Sequence, residues 1–157
     1  MNAISQARLQ EVHPNLSYRI HQLAAFLGFD LEVSRGLSTW AEQDVLYAQG
    51  RTVPGRIITD AKGGYSAHNM GYAVDVFPED VTLGQPDWNL SHPGWQKILS
   101  LAPGRGLAEG AKWCSFKDSP HLYLDELPAT PTDAMRQQFL SGGLAEVWDN
   151  FPTLVNS

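Results

Sequence analysis

The chain has 157 residues, 43% of them hydrophobic, which is enough to bury the core of one ordinary globular domain. Eleven basic residues against seventeen acidic ones give a formal charge of −6, which argues against nucleic acid and anionic membranes as partners. No run of about eighteen apolar residues occurs, so the sequence predicts no membrane insertion, and the single cysteine excludes an internal disulfide.

The first third of the chain predicts three helices and one strand. Pro14 fits the first turn of a helix, and Gly28 is a typical helix end. Thr39 is a good N-cap, and Gly50 marks the end of the helix that follows it. The predicted elements are a short helix before residue 14, longer helices over 14–27 and 40–49, and a strand over 31–34.

The middle and the end of the chain alternate loops with short elements. The glycines and prolines of residues 53–64 predict a loop, with a short strand at 57–58. Residues 72–77 have the composition of a strand, which Pro78 is expected to end because it has no amide donor. The remaining predictions are a helix over 92–101, a strand over 122–124 and a final helix or helix pair over 131–149. Short strands mixed with helices, without βαβ alternation, indicate an α+β fold.

One decapeptide carries most of the chemistry. Residues 66–75 read Ser-Ala-His-Asn-Met-Gly-Tyr-Ala-Val-Asp, which places His68 and Asp75 seven residues apart. An odd separation would put the two side chains on opposite faces of one straight strand. A turn must therefore intervene, and Gly71 is the residue that permits it.

A second motif follows, Asp118-Ser119-Pro120-His121. Two histidines and one aspartate form a three-ligand set that leaves a fourth position for water, as catalytic zinc requires. The set is His68, Asp75 and His121, and Asp118 is then available as a general base. Zinc is the expectation from ligand type, although the same ligands would hold other divalent metals.

Together the motifs Ser-x-His-x-x-Gly-x-Ala-x-Asp and Asp-x-Pro-His resemble those of the zinc peptidoglycan peptidases, the D-alanyl-D-alanine carboxypeptidase and L-alanyl-D-glutamate endopeptidase family. Small phage and prophage endolysins are the most similar group, and residues 39–52 resemble the helix and turn that these enzymes carry before the first motif. The resemblance covers about residues 8–150. It implies a small antiparallel sheet with helices packed outside it, the fold shared with the Hedgehog signalling domain. We expect residues 1–157 to form one catalytic domain without a separate wall-binding domain.

The resemblance also implies an activity. The chain would be a zinc-dependent endopeptidase that cuts peptidoglycan stem peptides between L-alanine and D-glutamate during cell lysis. Asp118 would take a proton from the attacking water and pass it to the leaving amine. Because no secretory signal is evident, we expect the protein to be made in the cytoplasm and to act on the cell wall after release. We also expect it to be a monomer.

The substrate-binding residues follow the family pattern less closely. Ser66 resembles the family serine that helps to hold substrate, and Trp113, shortly before the second motif, is a candidate to line the cleft. Many relatives carry an arginine where this chain has Ser38, and a serine cannot replace a guanidinium charge. Arg35 and Arg51 are the candidates to supply that charge to the substrate.

Two alternatives stay open at this stage. A carboxypeptidase or dipeptidase for D-alanyl-D-alanine would need a cation to bind a free terminal carboxylate, and the serine at position 38 counts against it. A non-catalytic binding module stabilised by zinc would keep the three ligands. Asp118 counts against this second alternative, because a purely structural site needs no general base.

Overall fold

The computed structural model describes residues 1–80, 85–86, 89–110 and 120–152, and it confirms the predicted α+β fold. The helices are α1 (Ala3–Gln10), α2 (Pro14–Leu27), α3 (Trp40–Ala48), α4 (Pro93–Leu101) and α5 (Asp133–Asp149). The strands are β1 (Leu31–Arg35), β2 (Ala73–Asp80), β3 (Gln85–Pro86), β4 (Leu107–Glu109) and β5 (His121–Leu124). Single-turn 3-10 helices cover Ala67–Met70 and Pro103–Arg105.

The sheet is small and antiparallel. Its strand order is β1-β2-β5-β4, and β3 pairs with the far end of β2. The long strand β2 is therefore central, with β1 on one side and β5 on the other. This arrangement brings the end of the first sequence motif directly beside the start of the second.

Local sequence explains where the helices begin and end. His13 caps α2 by accepting a hydrogen bond from the Asn15 amide at 3.2 Å, Pro14 occupies the first turn, and Gly28 ends the helix with a left-handed conformation. Thr39 and Glu42 form a reciprocal capping box at the start of α3. The predicted helices over 14–27 and 40–49 are thus confirmed to within one residue.

The core lies between the sheet and the helices. Its largest fully buried side chains come from α1, α2, α4, β1, β4, β5 and residues 70–72: Leu9, Leu16, Ile20, Leu23, Leu27, Leu31, Met70, Tyr72, Trp95, Ile98, Leu107 and Leu122. Full burial of one such aliphatic side chain contributes about 1.5–3 kcal/mol. None of the helices in the described parts combines the length and the apolar character that crossing a bilayer requires.

Two strand predictions were wrong, and two strands, β3 and β4, were not predicted. Ile57 and Ile58 form no strand; both are exposed, and a two-residue strand without a described partner has nothing to stabilise it. Strand β2 does not end before Pro78. Glu79 donates its amide hydrogen bond to the Asp30 carbonyl, so the missing amide of Pro78 falls on the other side of the strand and costs no β1–β2 hydrogen bond. The strand β4 is three residues long, too short for a periodic pattern.

The last helix is the predicted pair rather than one straight rod. Gly143 has non-helical dihedral angles (φ 70°, ψ −157°) inside α5, so the element has two segments. Val147 of the second segment is fully buried, and the neighbouring Trp148 packs on the loop of the first motif. The second segment of α5 therefore packs against the turn that follows His68.

Candidate metal centre

Three side chains from the two motifs converge on one point. His68 Nε2 lies 3.1 Å from Asp75 Oδ1 and 3.1 Å from His121 Nδ1, and the latter two atoms are 3.2 Å apart. Bonds of about 2.0–2.1 Å to a tetrahedral zinc ion would place its ligand atoms about 3.3–3.4 Å apart. The donor set and its spacing therefore fit a divalent metal ion without rearrangement of the chain.

The turn predicted between His68 and Asp75 is present in the structure. His68 is in the 3-10 turn, Asp75 is in β2, and Gly71 between them adopts a left-handed conformation (φ 68°). Asp75 and His121 are paired residues in the β2–β5 ladder. Directly opposite residues project to the same face, so the sheet register itself brings these two side chains together.

A backbone carbonyl fixes the orientation of His68. His68 Nδ1 lies 2.9 Å from the carbonyl oxygen of Gly36, which can only accept, so this contact assigns the hydrogen to Nδ1. The lone pair of Nε2 then points into the site. Such a bond on the outer nitrogen is the usual device that holds a metal-binding imidazole in one orientation.

Asp75 is suited to remain ionised in this position. Burial alone would raise the pKa of its carboxyl, but where the two imidazoles are protonated, the charge of His68 and the hydrogen bonds from both rings outweigh burial and hold that pKa well below its usual range. An ionised carboxylate between two imidazole nitrogens is the protonation state that a metal ligand needs.

Asn69 and Trp148 brace the turn and were not predicted. The buried Asn69 amide donates to the carbonyls of Ser38 and Thr39 at 2.9 and 3.1 Å and accepts from the Gly64 amide at 2.9 Å. Trp148 Nε1 donates to the Met70 carbonyl at 2.8 Å. A polar residue beside a candidate ligand was the only sequence feature that could have pointed to Asn69, and nothing local pointed to Trp148.

Arg35 is held beside the site by two neutral side chains. Its Nη2 donates to Ser38 Oγ at 2.9 Å and to Gln43 Oε1 at 2.6 Å. Gln43 is fully buried and in turn donates to the Ala61 carbonyl at 2.7 Å. Sequence reasoning missed Gln43, although it lies three residues after Trp40 and three before Leu46, on the inward stripe of α3.

The other predicted substrate residues have different surroundings. Arg51 donates to the Tyr47 and Thr59 carbonyls at 2.8 and 3.0 Å and pairs with Asp60 at 3.0 Å, so it braces the loop after α3. Ser66 precedes the 3-10 turn, and its hydroxyl makes no hydrogen bond within the described residues. The predicted base Asp118 and the predicted cleft residue Trp113 lie outside the described residues.

Comparison with known proteins finds a matching family and a similar enzyme. A family described as D-alanyl-D-alanine carboxypeptidase matches residues 59–124, which include His68, Asp75 and His121. Over 122 residues the chain is 36% identical to the peptidoglycan L-alanyl-D-glutamate endopeptidase CwlK of Bacillus subtilis (strain 168), covering 71% of this chain and 72% of that protein.

Solved structures agree with this match. The L-Ala D-Glu endopeptidase ChiX of Serratia marcescens superposes with a TM-score of 0.58 at 26% identity, over 79% of this chain and 88% of that one. The LD-carboxypeptidase LdcB superposes with a TM-score of 0.55 at 22% identity, over 86% of this chain and 75% of that one, and shows the shared fold.

Proposed function

This chain belongs to the D-alanyl-D-alanine carboxypeptidase family of peptidoglycan-hydrolysing metallopeptidases, and from that premise we propose that it is a zinc-dependent endopeptidase for the L-alanyl-D-glutamate bond of stem peptides. The observation that carries the proposal is the convergence of His68, Asp75 and His121 within 3.2 Å of one another. The choice of bond is supported by the 36% identity to an endopeptidase of that specificity.

The proposed chemistry divides between the metal and the chain. A zinc ion held by His68, Asp75 and His121 would polarise the scissile carbonyl and acidify a water molecule. Asp118 accepts the proton of that water and returns it to the leaving amine. The Gly36 carbonyl keeps His68 in the tautomer that the ligand set requires throughout this exchange.

Four residues are proposed to bind the substrate. Ser66 presents a hydroxyl at the entrance to the 3-10 turn, and Arg35 is paired with Asp75 in the β1–β2 ladder. Arg51 would shape the rim through its loop contacts. Trp113, which precedes the second motif in the sequence, is proposed to contact the substrate. The partner that these four residues would bind is peptidoglycan.

The proposed setting is cell lysis. A monomer made in the cytoplasm would reach the wall after release and act there as a small lysin, as expected of the endolysins that its two motifs resemble.

Incubation of the zinc-loaded protein with purified peptidoglycan tests the function directly. Mass spectrometry should find new D-glutamate amino termini. Asp118→Ala should lower the rate by a factor on the order of 10²–10⁴, because general-base catalysis is lost while the three metal ligands remain. Zinc content, measured by atomic absorption, should be unchanged.

Asp149→Asn, at an exposed carboxylate at the end of α5, is the matched control and should keep full activity. Release of terminal D-alanine without new D-glutamate termini would replace the endopeptidase by a carboxypeptidase. Bound zinc without any cleavage would favour a binding module.

A further inference from the structure

His13 connects the start of α2 to the metal-site turn (Ala67–Met70, which carries His68). Its amide donates to the Gly71 carbonyl at 2.7 Å, at the residue that ends this turn. Its ring Nδ1 accepts from the Asn15 amide at 3.2 Å and thereby caps α2. A well-formed start of α2 therefore holds the backbone at Gly71 in place.

The ring of His13 also packs on the aromatic side chains at the end of α5. Its centroid lies 5.3 Å from that of Trp148, with the two rings nearly perpendicular, and 5.3 Å from that of Phe151. Trp148 in turn donates through Nε1 to the Met70 carbonyl at 2.8 Å, inside the metal-site turn. His13 is thus linked to this turn twice, through the Gly71 carbonyl and through Trp148.

The cap on α2 requires a neutral imidazole. Nδ1 can accept from the Asn15 amide only through its lone pair, and protonation replaces that lone pair with an N–H donor. The added positive charge would also lie at the N-terminus of α2, where the helix dipole disfavours a cation. Because histidine ordinarily changes its charge between about pH 5 and pH 8, this cap is sensitive to pH where a serine or threonine cap is not.

The surroundings of His13 favour the neutral ring. Burial and, after it, the positive charge of Arg19 on α2 hold the pKa of His13 below its ordinary 6.5. The described contacts from the turn and from α5 are uncharged, and the acidic residues next to these segments in sequence, Glu11 and Asp149, are exposed. Because the folded-state pKa is depressed, the neutral ring stabilises the fold above about pH 6.5, and this contribution is lost as the pH falls through the folded-state pKa.

His92 repeats the same cap on another helix. Like His13 it precedes a proline, and its Nδ1 accepts from the Gly94 amide at 3.1 Å at the start of α4. Helix α4 packs on α2, on β2 and on the 3-10 helix Pro103–Arg105. His92 therefore provides an internal comparison for the cap at His13.

Resting on the metal site of the proposed function, but not on the choice of bond, we propose that His13 is a positioning residue for that site. With a neutral ring it holds the turn that carries His68, through Gly71 and Trp148, and a proton on the ring loosens this hold. Zinc affinity therefore falls on acidification by more than protonation of the ligands alone produces. His13 contacts neither the metal nor the substrate, and it acts only through the turn.

Zinc affinity measured by chelator competition at about pH 7.5 and about pH 5.5 tests this role. His13→Asn keeps a strong N-cap that does not titrate but loses the ring contacts, so it should bind zinc more weakly than the wild type at the higher pH. This advantage of the wild type, the ratio of the two Kd values, should shrink about three- to tenfold at the lower pH, the equivalent of one lost helix cap. Protonation of His68, Asp75 and His121 is common to both proteins and cancels in the ratio.

His92→Asn is the matched control, because it makes the same change at the cap of α4. Its Kd for zinc should stay within about twofold of the wild-type value at both pH values.

Urea unfolding of the metal-free proteins separates the cap from the metal. The unfolding equilibrium constant of the wild type, relative to that of His13→Asn, should rise about three- to tenfold over the same pH interval. A further measurement needs no variant and covers the case in which His13→Asn folds poorly. By reciprocity, zinc binding should lower the pKa of the His13 ring in an NMR titration of the wild type and leave the pKa of His92 unchanged.

Four results would overturn the positioning role. A Kd ratio that does not change with pH would do so, and a change in the unfolding ratio alone would reduce His13 to a structural cap. An equal change in His92→Asn would make the effect general to helix caps. A wild-type advantage that grew in acid would mean that Trp148 binds the protonated ring by a cation–π contact. A protein that bound no zinc at either pH would overturn the proposed function as well, while the unfolding ratio would still report whether protonation breaks the His13 cap.

Discussion

Gly71 joins the backbone of the metal-site turn to the packing of the last helix. It has a φ of 68°, and a methyl group added to it would lie 2.9 Å from a ring carbon of Trp148. Both the backbone conformation and the space therefore require glycine at this position. The residue lies between His68 and Asp75, so a shift here would change the distance between two proposed ligands.

Gly71→Ala should accordingly destabilise the protein and weaken its metal binding. The left-handed conformation costs a non-glycine residue about 1–2 kcal/mol, and displacement of the Trp148 ring adds to this cost. We expect a loss of about 2–3 kcal/mol in urea unfolding and a clear loss of zinc affinity in a chelator competition.

Gly104→Ala is the control for this change, because a methyl group there meets no atom within 4 Å and its φ is not in the left-handed range. It should leave both measurements within about 0.5 kcal/mol of the wild-type values. Equal losses in the two variants would show that the Trp148 contact does not position the ligands.

At the residue scale, the sequence predicted which side chains meet but not how they are oriented. The motif spacing named His68, Asp75 and His121, and the structure brings them together. The sequence could not reveal that His68 faces the site through Nε2 and His121 through Nδ1. These orientations depend on the Gly36 carbonyl and on the strand register. Nor could the sequence separate Arg35 from Arg51, because a shift in the β1–β2 register between Val33 and Arg35 decides which face Arg35 occupies.

Helix α3 connects Arg35 and the loop at Ala61 to the turn that carries His68. Its N-cap Thr39 follows Ser38, and its buried Gln43 contacts both Arg35 and the loop at Ala61. The Asn69 amide donates to the carbonyls of Ser38 and Thr39, directly at the start of this helix. The first turn of α3 therefore has to be well formed for Arg35 and Asn69 to keep these contacts.

Thr39→Ala tests this role of the helix start. The variant loses the hydroxyl that accepts the Glu42 amide at 3.2 Å, which should cost about 1 kcal/mol of stability. Because Asn69, next to His68, donates to the Ser38 and Thr39 carbonyls at this cap, the cap should also affect catalysis, and we expect kcat/KM on peptidoglycan stem peptides to fall several-fold.

Thr132→Ala is the matched comparison, since Thr132 caps α5 through the Met135 amide at the same distance of 3.2 Å. It should cost a similar free energy of unfolding while kcat/KM stays near the wild-type value. If both variants lost activity in proportion to their stability, the start of α3 would have no separate role in the site.

At the element scale, prediction worked where the local sequence decides the outcome. The caps and stops at Pro14, Gly28 and Thr39 act within a few residues, and α2 and α3 were predicted accordingly. The strands depend on distant partners. The isoleucine pair at 57–58 has strand composition but no described neighbour, whereas β2 continues through Pro78 because β1 pairs with it there.

For the whole molecule, a buried arginine ties the first half of the chain to the second. Arg19 of α2 donates to the Gly106 carbonyl at 2.7 Å and forms a two-pronged pair with Glu126, at 2.8 and 2.6 Å. Its side chain is only 3% exposed, so this charge depends on its partners. The contact joins helix α2 to the turns that flank β4 and β5, and β5 begins with His121.

Glu126→Gln should weaken the fold in a pH-dependent way. The hydrogen bonds from Arg19 lower the pKa of the Glu126 carboxyl from its ordinary 4.5 to about 2. Because the folded-state pKa is depressed, the carboxylate contributes stability above about pH 4.5, and this contribution is lost as the pH falls through about 2. The carboxylate is partly exposed, so solvent screening reduces the expected loss at pH 7 to about 1–2 kcal/mol.

Urea unfolding of the wild type and of Glu126→Gln between pH 7 and pH 2 measures this linkage. The difference in unfolding free energy should be largest near neutrality and shrink below about pH 4.5. The neighbouring Asp125 carboxyl has a pKa raised by burial and by Glu126, so the variant also relieves that pair and the loss stays modest.

Asp133→Asn, at an exposed carboxylate that pairs with Arg136 on the first turn of α5, should cost less at every pH. A difference for Glu126→Gln that stayed constant down to pH 2 would mean that packing of the side chain, rather than its charge, holds the two halves together.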